Sequence, residues 1–279
     1  MSAPQDFLAT MARSSRARSD AAEALFSAKT LQARIADMPQ PPPLSLDGRF
    51  DLIAELKLRS PAMGLLSGSD AGLEQRVLAY GKAGAAMVSV LTEPDRFDGS
   101  LEHLQRAARA LAPIGVPAMR KDFLVDPYQV LEARAAGAGG VLLIVRMLEV
   151  AQLQRMMAVA AALGLFVLLE TFDEQEVDVA AQLAHSWAGP SQTCLIGVNS
   201  RNLSTLQVVP ERLERLVGSL PKGFPRVAES GLQTPADAQH MARCGYTLAL
   251  VGTALMSSED PALLVQQMIV QGRAAGIAT

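Results

Sequence analysis

Eight short apolar runs, each followed by a polar loop and a helical pattern, recur through most of this chain and restrict what it can fold into. The runs are Asp51–Leu56, Ala86–Leu91, Val116–Met119, Gly140–Val145, Leu165–Leu169, Cys194–Val198, Arg226–Ala228 and Leu248–Val251. Helical spacing fills the intervals, around Gly72–Lys82, Leu101–Leu111, Pro127–Ala136, Val150–Leu163, Asp173–His185, Pro210–Val217 and Pro235–Arg243, with a last helix from Pro261. Near-continuous apolar strands alternating with helices call for a parallel sheet covered on both faces, and eight such units call for a closed α/β architecture, the (β/α)8 TIM barrel. Gly84, Gly137, Gly164 and Gly245 each stand where a helix would end in the left-handed conformation. An open doubly wound sheet is the structural alternative, but no Gly-x-Gly-x-x-Gly follows the first strand.

Ahead of the repeat, apolar residues at helical intervals from Asp6 to Asp37 predict one or two helices, and Pro39, Pro41, Pro42 and Pro43 form a stiff connector. The expected division is an N-terminal helical extension with its Pro-rich connector over 1–48 and a catalytic barrel over 49–279. Only 4% of residues are aromatic, so the core must be built from Ala, Leu, Val and Met. A net charge of -3 gives no basic field, which argues against nucleic acid or an anionic membrane as partner. The uncharged run Met156–Leu169 is too short for a bilayer span and reads as a helix end followed by a strand. The Arg- and Ser-rich start lacks the apolar core of a secretory signal, so a cytoplasmic protein is expected. Cys194 and Cys244 have no CxxC partner and are expected to be small buried hydrophobes.

In such a barrel, chemistry collects at the strands' C-terminal ends. The segment Pro117–Gln129 places Arg120-Lys121-Asp122 after an apolar run, and Asp126-Pro127 then starts a helix as N-cap and first-turn proline. The other strand ends carry Glu55 and Lys57, Arg59-Ser60, Arg146, Glu170, Asn199, Arg201 and Glu229. Packing does not explain so many acids and bases at one mouth, because unpaired charges are costly to desolvate. Ser230-Gly231 and Gly252-Thr253 follow the last two strands, where barrels commonly bind phosphate through backbone N–H groups. The lysines and glutamates remain for proton transfer. His103, His185 and His240 fall on the predicted outer helices, so neither histidine catalysis nor a metal site is expected, and Trp187 and Met156-Met157 read as packing.

These motifs resemble the indole-3-glycerol-phosphate synthase family from about Asp51 to Leu263. The likeness rests on Ile-Ala-Glu55-Leu-Lys57-Leu-Arg-Ser60-Pro61, on Glu93 with Phe97 and Gly99-Ser100, and on Met-Arg-Lys121-Asp-Phe123-Leu-Val-Asp-Pro-Tyr-Gln. It continues in Leu-Leu-Glu170, in Ile-Gly-Val-Asn199-Ser-Arg201 and in Val-Ala-Glu229-Ser230-Gly231. The resemblance implies closure of 1-(2-carboxyphenylamino)-1-deoxyribulose 5-phosphate to an indole ring with loss of CO2 and water, as a tryptophan-pathway carboxy-lyase needing neither cofactor nor metal. It implies that Lys121 protonates the ribulose carbonyl, that Lys57, Glu55 and Glu170 exchange the remaining protons, and that Asn199 and Glu229 orient the substrate hydroxyls and the lysines. Ser60 and Arg201 would face the carboxylate and phosphate ends. Phe97, Phe123 and Leu142 would enclose the anthranilate ring, and Ser230, Gly231, Gly252 and Thr253 would bind phosphate. The cations Lys57, Arg59, Lys121, Arg146 and Arg201 would match a small anionic substrate, taken up by a monomer or weak homo-oligomer.

The chain departs from the family's pattern at Leu58, Ala62, Gly139, Phe172 and Thr253. The alternative is therefore a paralogous phosphate-binding barrel with an altered substrate or without catalysis. Phosphoribosylanthranilate isomerase, a barrel that uses a cysteine and an aspartate, is disfavoured because Cys194 is expected to precede its strand.

Overall fold

The computed structural model describes residues 7–60, 64–66, 70–187, 189, 192–203 and 205–275. Its eight long strands are β1 (Asp51–Leu56), β2 (Met87–Leu91), β3 (Ala118–Lys121), β4 (Gly140–Ile144), β5 (Phe166–Thr171), β6 (Cys194–Asn199), β7 (Arg226–Glu229) and β8 (Leu248–Val251). All pair in parallel with their sequence neighbours, and β1 also pairs with β8, so the sheet closes into a barrel. Helices α1 (Phe7–Leu25) and α2 (Ala28–Ala36) precede it. Around it lie α3 (Leu73–Lys82), α4 (Pro94–Phe97), α5 (Leu101–Leu111), α6 (Pro127–Ala135), α7 (Val150–Ala162) and α8 (Glu174–Trp187). The ring is completed by α9 (Glu211–Leu216), α10 (Pro235–Cys244), α11 (Thr253–Ser257) and α12 (Pro261–Ala274). The expected (β/α)8 TIM barrel with helices ahead of it is the observed architecture, and the four helix-closing glycines all have positive φ.

Side chains on a strand alternate between its two faces, and that period distributes the residues here. Leu52, Ala54, Val88, Val90, Val141, Leu143, Ile196, Val198, Ala249 and Val251 pack outward among the helices. Ile53, Met87, Met119, Leu142, Phe166, Leu168, Leu195, Val227 and Leu248 fill the interior. Continuing the inward rows by two or four residues reaches Glu55, Lys121, Glu170, Asn199 and Glu229. The same parity that fills the lower barrel with hydrocarbon therefore aims these polar groups into its mouth.

Three strand boundaries differ from expectation in a way that bears on the site. The third strand starts at Ala118 and runs on to Lys121, since Gly115 closes the preceding turn with φ 72 and Pro117 has no N–H to donate, although its carbonyl accepts from Val88 N at 3.0 Å. The fifth strand extends through Glu170 to Thr171, and the sixth runs on to Asn199; it starts at Cys194, as its apolar run does, so Cys194 belongs to the strand and does not precede it. Cys194 is buried as expected, but Cys244 is only partly so, since it ends α10 on the barrel's outer surface.

Helix α1 buries Met11, Ser15 and Ser19, one face at four-residue spacing. Helix α2 packs Leu31 and Ile35 on Tyr128, Leu131 and Ala135 of α6. The connector after α2 is held where Arg134, itself buried, donates to the Pro39 carbonyl at 2.8 Å. Among the described residues no helix is long and apolar enough to cross a membrane.

Candidate active site

A cavity of about 480 Å³ opens at the C-terminal ends of the strands. It is lined by all the expected catalytic residues, Lys57, Lys121, Glu55, Glu170, Asn199 and Glu229, by Ser60, Phe97, Phe123, Leu142 and Arg201, and by Ser230, Gly231, Gly252 and Thr253. Two ion pairs organise its floor. Lys57 Nζ lies 2.8 Å from Glu55 Oε1, and Lys121 Nζ donates to Glu170 Oε2 at 3.1 Å with Glu229 Oε2 at 4.0 Å. Burial opposes the charge on Lys121, but Glu170, Glu229 and Glu55 outweigh it and hold the ammonium well above the ordinary lysine range. Burial likewise opposes charge on Glu55, and Lys57, Lys121 and Arg201 outweigh it, so this carboxyl is held below the usual range. Glu229 goes the other way, pushed well up by burial and by the like charge of Glu170 against the pull of Lys121.

Opposite the charges stands an apolar wall. The rings of Phe97 and Phe123 are 6.2 Å apart, and Phe7 from α1 meets Phe123 edge-on at 5.7 Å. Phe97 is placed by α4, whose N-cap Glu93 accepts from Asp95 N at 3.0 Å and Arg96 N at 2.7 Å. Across the mouth, Ser230 has φ 69, a strained value for a non-glycine residue, and Gly231 follows with φ 86. Ser200 Oγ holds this turn by donating to the Ser230 carbonyl at 3.0 Å. Gly252 leads into α11, and a methyl group there would collide with the Glu55 carboxylate and come within 3.0 Å of Lys57 Nζ. Both turns line the same cavity, and backbone N–H groups at turns of this kind suit an anion.

Lys121 is supported from behind by its neighbours in sequence, which point outward. Asp122 accepts a two-pronged bond from Arg18 of α1 at 2.9 and 3.0 Å and a bond from Thr92 at 2.8 Å, and Arg120 lies 3.3 Å away. Gln129 Nε2 reaches Ser15 Oγ at 2.8 Å, and Arg16 bonds the Val125 carbonyl at 2.8 Å and the Asp126 side chain. The first helix is thereby fastened to the loop after β3, which brings Phe7 over the cavity.

The indole-3-glycerol phosphate synthase family profile matches residues 13–268, nearly the whole chain. The chain belongs to the indole-3-glycerol phosphate synthase family. Among relatives named indole-3-glycerol phosphate synthase, one from Mycobacterium leprae is 39% identical over 96% of each chain, and one from Aromatoleum aromaticum is 44% identical over 77% of each. Solved structures with the same fold include a tryptophan synthase from M. tuberculosis at TM-score 0.60 and 14% identity, covering 81% of this chain and 94% of that one. Another is 3-hexulose-6-phosphate synthase from Salmonella typhimurium, at TM-score 0.59 and 12% identity, covering 81% of this chain and 100% of that one. At those identities the likeness concerns the fold alone.

Two of the cations expected to face the substrate of the synthase do not line the cavity. Arg146 lies on the rim, 2.9 Å from Asp173 and stacked 4.3 Å over Phe172, because the turn after β4 carries it toward the acidic start of α8. Arg59 sits on a two-residue hairpin with Gly64–Leu65 and pairs outward with Asp98 at 2.7 Å. The cavity's cations are thus Lys57, Lys121 and Arg201 among the described residues. Arg201 also donates to the Leu206 carbonyl at 2.7 Å, shaping the loop that carries Leu203, Leu206 and Val208 into the cavity wall. Of the departures from the family's pattern, Ala62 lies outside the described residues.

Sequence reasoning missed Phe7, the Arg18–Asp122 pair and the loop apolar residues as parts of the site. The signal for Phe7 was present in its helical spacing, but nothing local says where that helix docks. Gly197 was missed as well: a methyl there would collide with the Glu229 carboxylate.

Proposed function

We propose that this chain closes 1-(2-carboxyphenylamino)-1-deoxyribulose 5-phosphate to indole-3-glycerol phosphate, releasing CO2 and water, in tryptophan biosynthesis. The observation that carries the reading is the meeting of Lys121, Lys57 and their glutamates with an aromatic wall and two glycine turns in a single cavity, in a chain of this family. Its volume is in the range that encloses a small substrate. The phosphate goes to the turns at Ser230-Gly231 and Gly252-Thr253, and the anthranilate ring lies between Phe97, Phe123 and Leu142. Ser60 and Arg201 address the carboxylate and phosphate ends.

Lys121 is the general acid in this scheme. Its ammonium has three donors, of which Glu170 takes one, so another remains to protonate the ribulose carbonyl as the aromatic carbon attacks. Loss of the carboxylate as CO2 restores the aromatic ring. Lys57, Glu55 and Glu170 then move the protons for dehydration, while Asn199 and Glu229 hold substrate hydroxyls and Lys121 in place. Buried ion pairs keep these groups preorganised, so little reorganisation is needed as charge develops. We place this activity in the cytoplasm, in a monomer or weak homo-oligomer acting on a small anionic molecule with no nucleic-acid partner. The test is to mix the purified protein with the carboxyphenylamino-deoxyribulose phosphate without added metal or cofactor. Equal yields of CO2 and an indole chromophore are expected, and a folded protein that binds this substrate but yields neither would refute the assignment.

A further inference from the structure

Three neighbouring strands determine how charge is arranged under Lys121. Glu170 on β5 is in register with Gly197 on β6, and Gly197 is in register with Val227 on β7, two residues before Glu229. Gly197 faces inward by parity but contributes no side chain. A methyl there would collide with the Glu229 carboxylate and come within 3.2 Å of Leu168. The gap on the middle strand is what lets a glutamate from each flanking strand lean toward the same lysine.

Lys121 lies 3.1 Å from Glu170 and 4.0 Å from Glu229. The other cations act elsewhere: Lys57 is held by Glu55 at 2.8 Å, and Arg201 also acts on Glu55. Asn199, in register with Glu229, brings no charge. Two carboxyl groups, each 1% exposed, therefore share one ammonium. A second buried negative charge without its own cation is strongly disfavoured, and close carboxyls do not both ionise readily. Neither oxygen of Glu229 has a hydrogen-bond partner among the described residues when both act only as acceptors. A proton on one of them creates a donor toward Glu170.

We propose that Glu170 and Glu229 hold one proton between them in the resting enzyme, as a carboxyl pair astride Lys121 for which Gly197 is the positioning residue. Burial and the neighbouring Glu170 both favour the neutral form of Glu229, in agreement with this arrangement. The use of that proton rests on the synthase reading above. When the ring hydroxyl leaves, its C–O bond breaks with both electrons on oxygen, and the pair's proton completes a water molecule. Electrons of the adjacent C–H bond form the ring double bond, and the proton released there returns to the pair, so the step is balanced.

The test reads the proton without turnover. Difference infrared spectra at neutral pH compare the wild type with Glu229→Gln and Gly197→Ala, after circular dichroism has shown each to be folded. The wild type is expected to show a protonated carboxyl C=O band that is lost in both variants, since Gly197→Ala drives Glu229 out of its niche and lets it ionise. A purely structural glycine would leave the band in place. No such band in the wild type, or a band undiminished in Glu229→Gln, overturns the proposal, and the latter comparison decides it if Gly197→Ala fails to fold. Because no product is measured, failure here is distinct from failure of the synthase assignment.

Discussion

Gly252 shows how much a site can depend on a missing atom. A methyl group on its Cα would strike Glu55 and press on Lys57, so Gly252→Ala is expected to displace that ion pair by about an ångström. Displacement of reacting groups on that scale lowers turnover by about 10²-fold, and steady-state kinetics beside an unchanged circular dichroism spectrum would check it. Phe97→Ala tests the opposite wall. Loss of its contact with Phe123, of the kind worth about 1 kcal/mol, should raise KM several-fold with a smaller change in kcat. The charged residues Lys57, Lys121 and Glu170 were legible because a charge directly after an apolar run is costly to bury and contributes nothing to packing. Gly252 was legible only as a candidate phosphate turn, since the group it makes room for lies on another strand. Arg146 was misplaced for a related reason: chain position put it at a strand end, but only the acids of α8 decide which way it turns.

At the scale of elements, α1 is where sequence periodicity says least about consequence. Its helical spacing predicts a buried face, but docking over the mouth depends on pairs formed across about a hundred residues. Arg18 is the principal fastening. Removing it by Arg18→Ala leaves Asp122 with Thr92 and Arg120, so the cost should be about 1–3 kcal/mol, with a higher KM because Phe7 loses its support. Thermal unfolding and substrate titration measure the two effects. Burial opposes ionisation of Asp122, yet Arg18, Arg120 and Thr92 outweigh it and lower its pKa to about 2. A carboxyl lowered on folding stabilises fully above its unfolded value, near 3.9, and loses that stabilisation as pH falls through the folded value. The stability gap between wild type and Arg18→Ala should therefore be constant near neutrality and shrink only below about pH 4; a gap that widens on acidification would contradict the pairing.

Across the whole molecule, the eight-fold alternation was readable because each unit repeats one physical requirement, an apolar strand covered by an amphipathic helix. Closure follows from having enough units, and strand parity then sends the last inward residues to a common mouth. What could not be read was depth: whether a residue such as Glu229 meets water, a lysine or another acid depends on its neighbours in the closed sheet. If the turns at Ser230-Gly231 and Gly252-Thr253 bind the phosphate of the substrate, inorganic phosphate should stabilise the entire barrel by mass action. At a hundred times Kd the gain is about 2.7 kcal/mol, a rise of several degrees in Tm, and sulfate-free calorimetry with and without phosphate would detect it. The most direct measurement of the central claim is indole fluorescence on mixing the carboxyphenylamino-deoxyribulose phosphate with wild type and with Lys121→Ala. Fluorescence growing with wild type, and slower by orders of magnitude with a folded Lys121→Ala that still binds the substrate, is the predicted result. Equal rates from both proteins would show that the proton for ring closure does not come from Lys121.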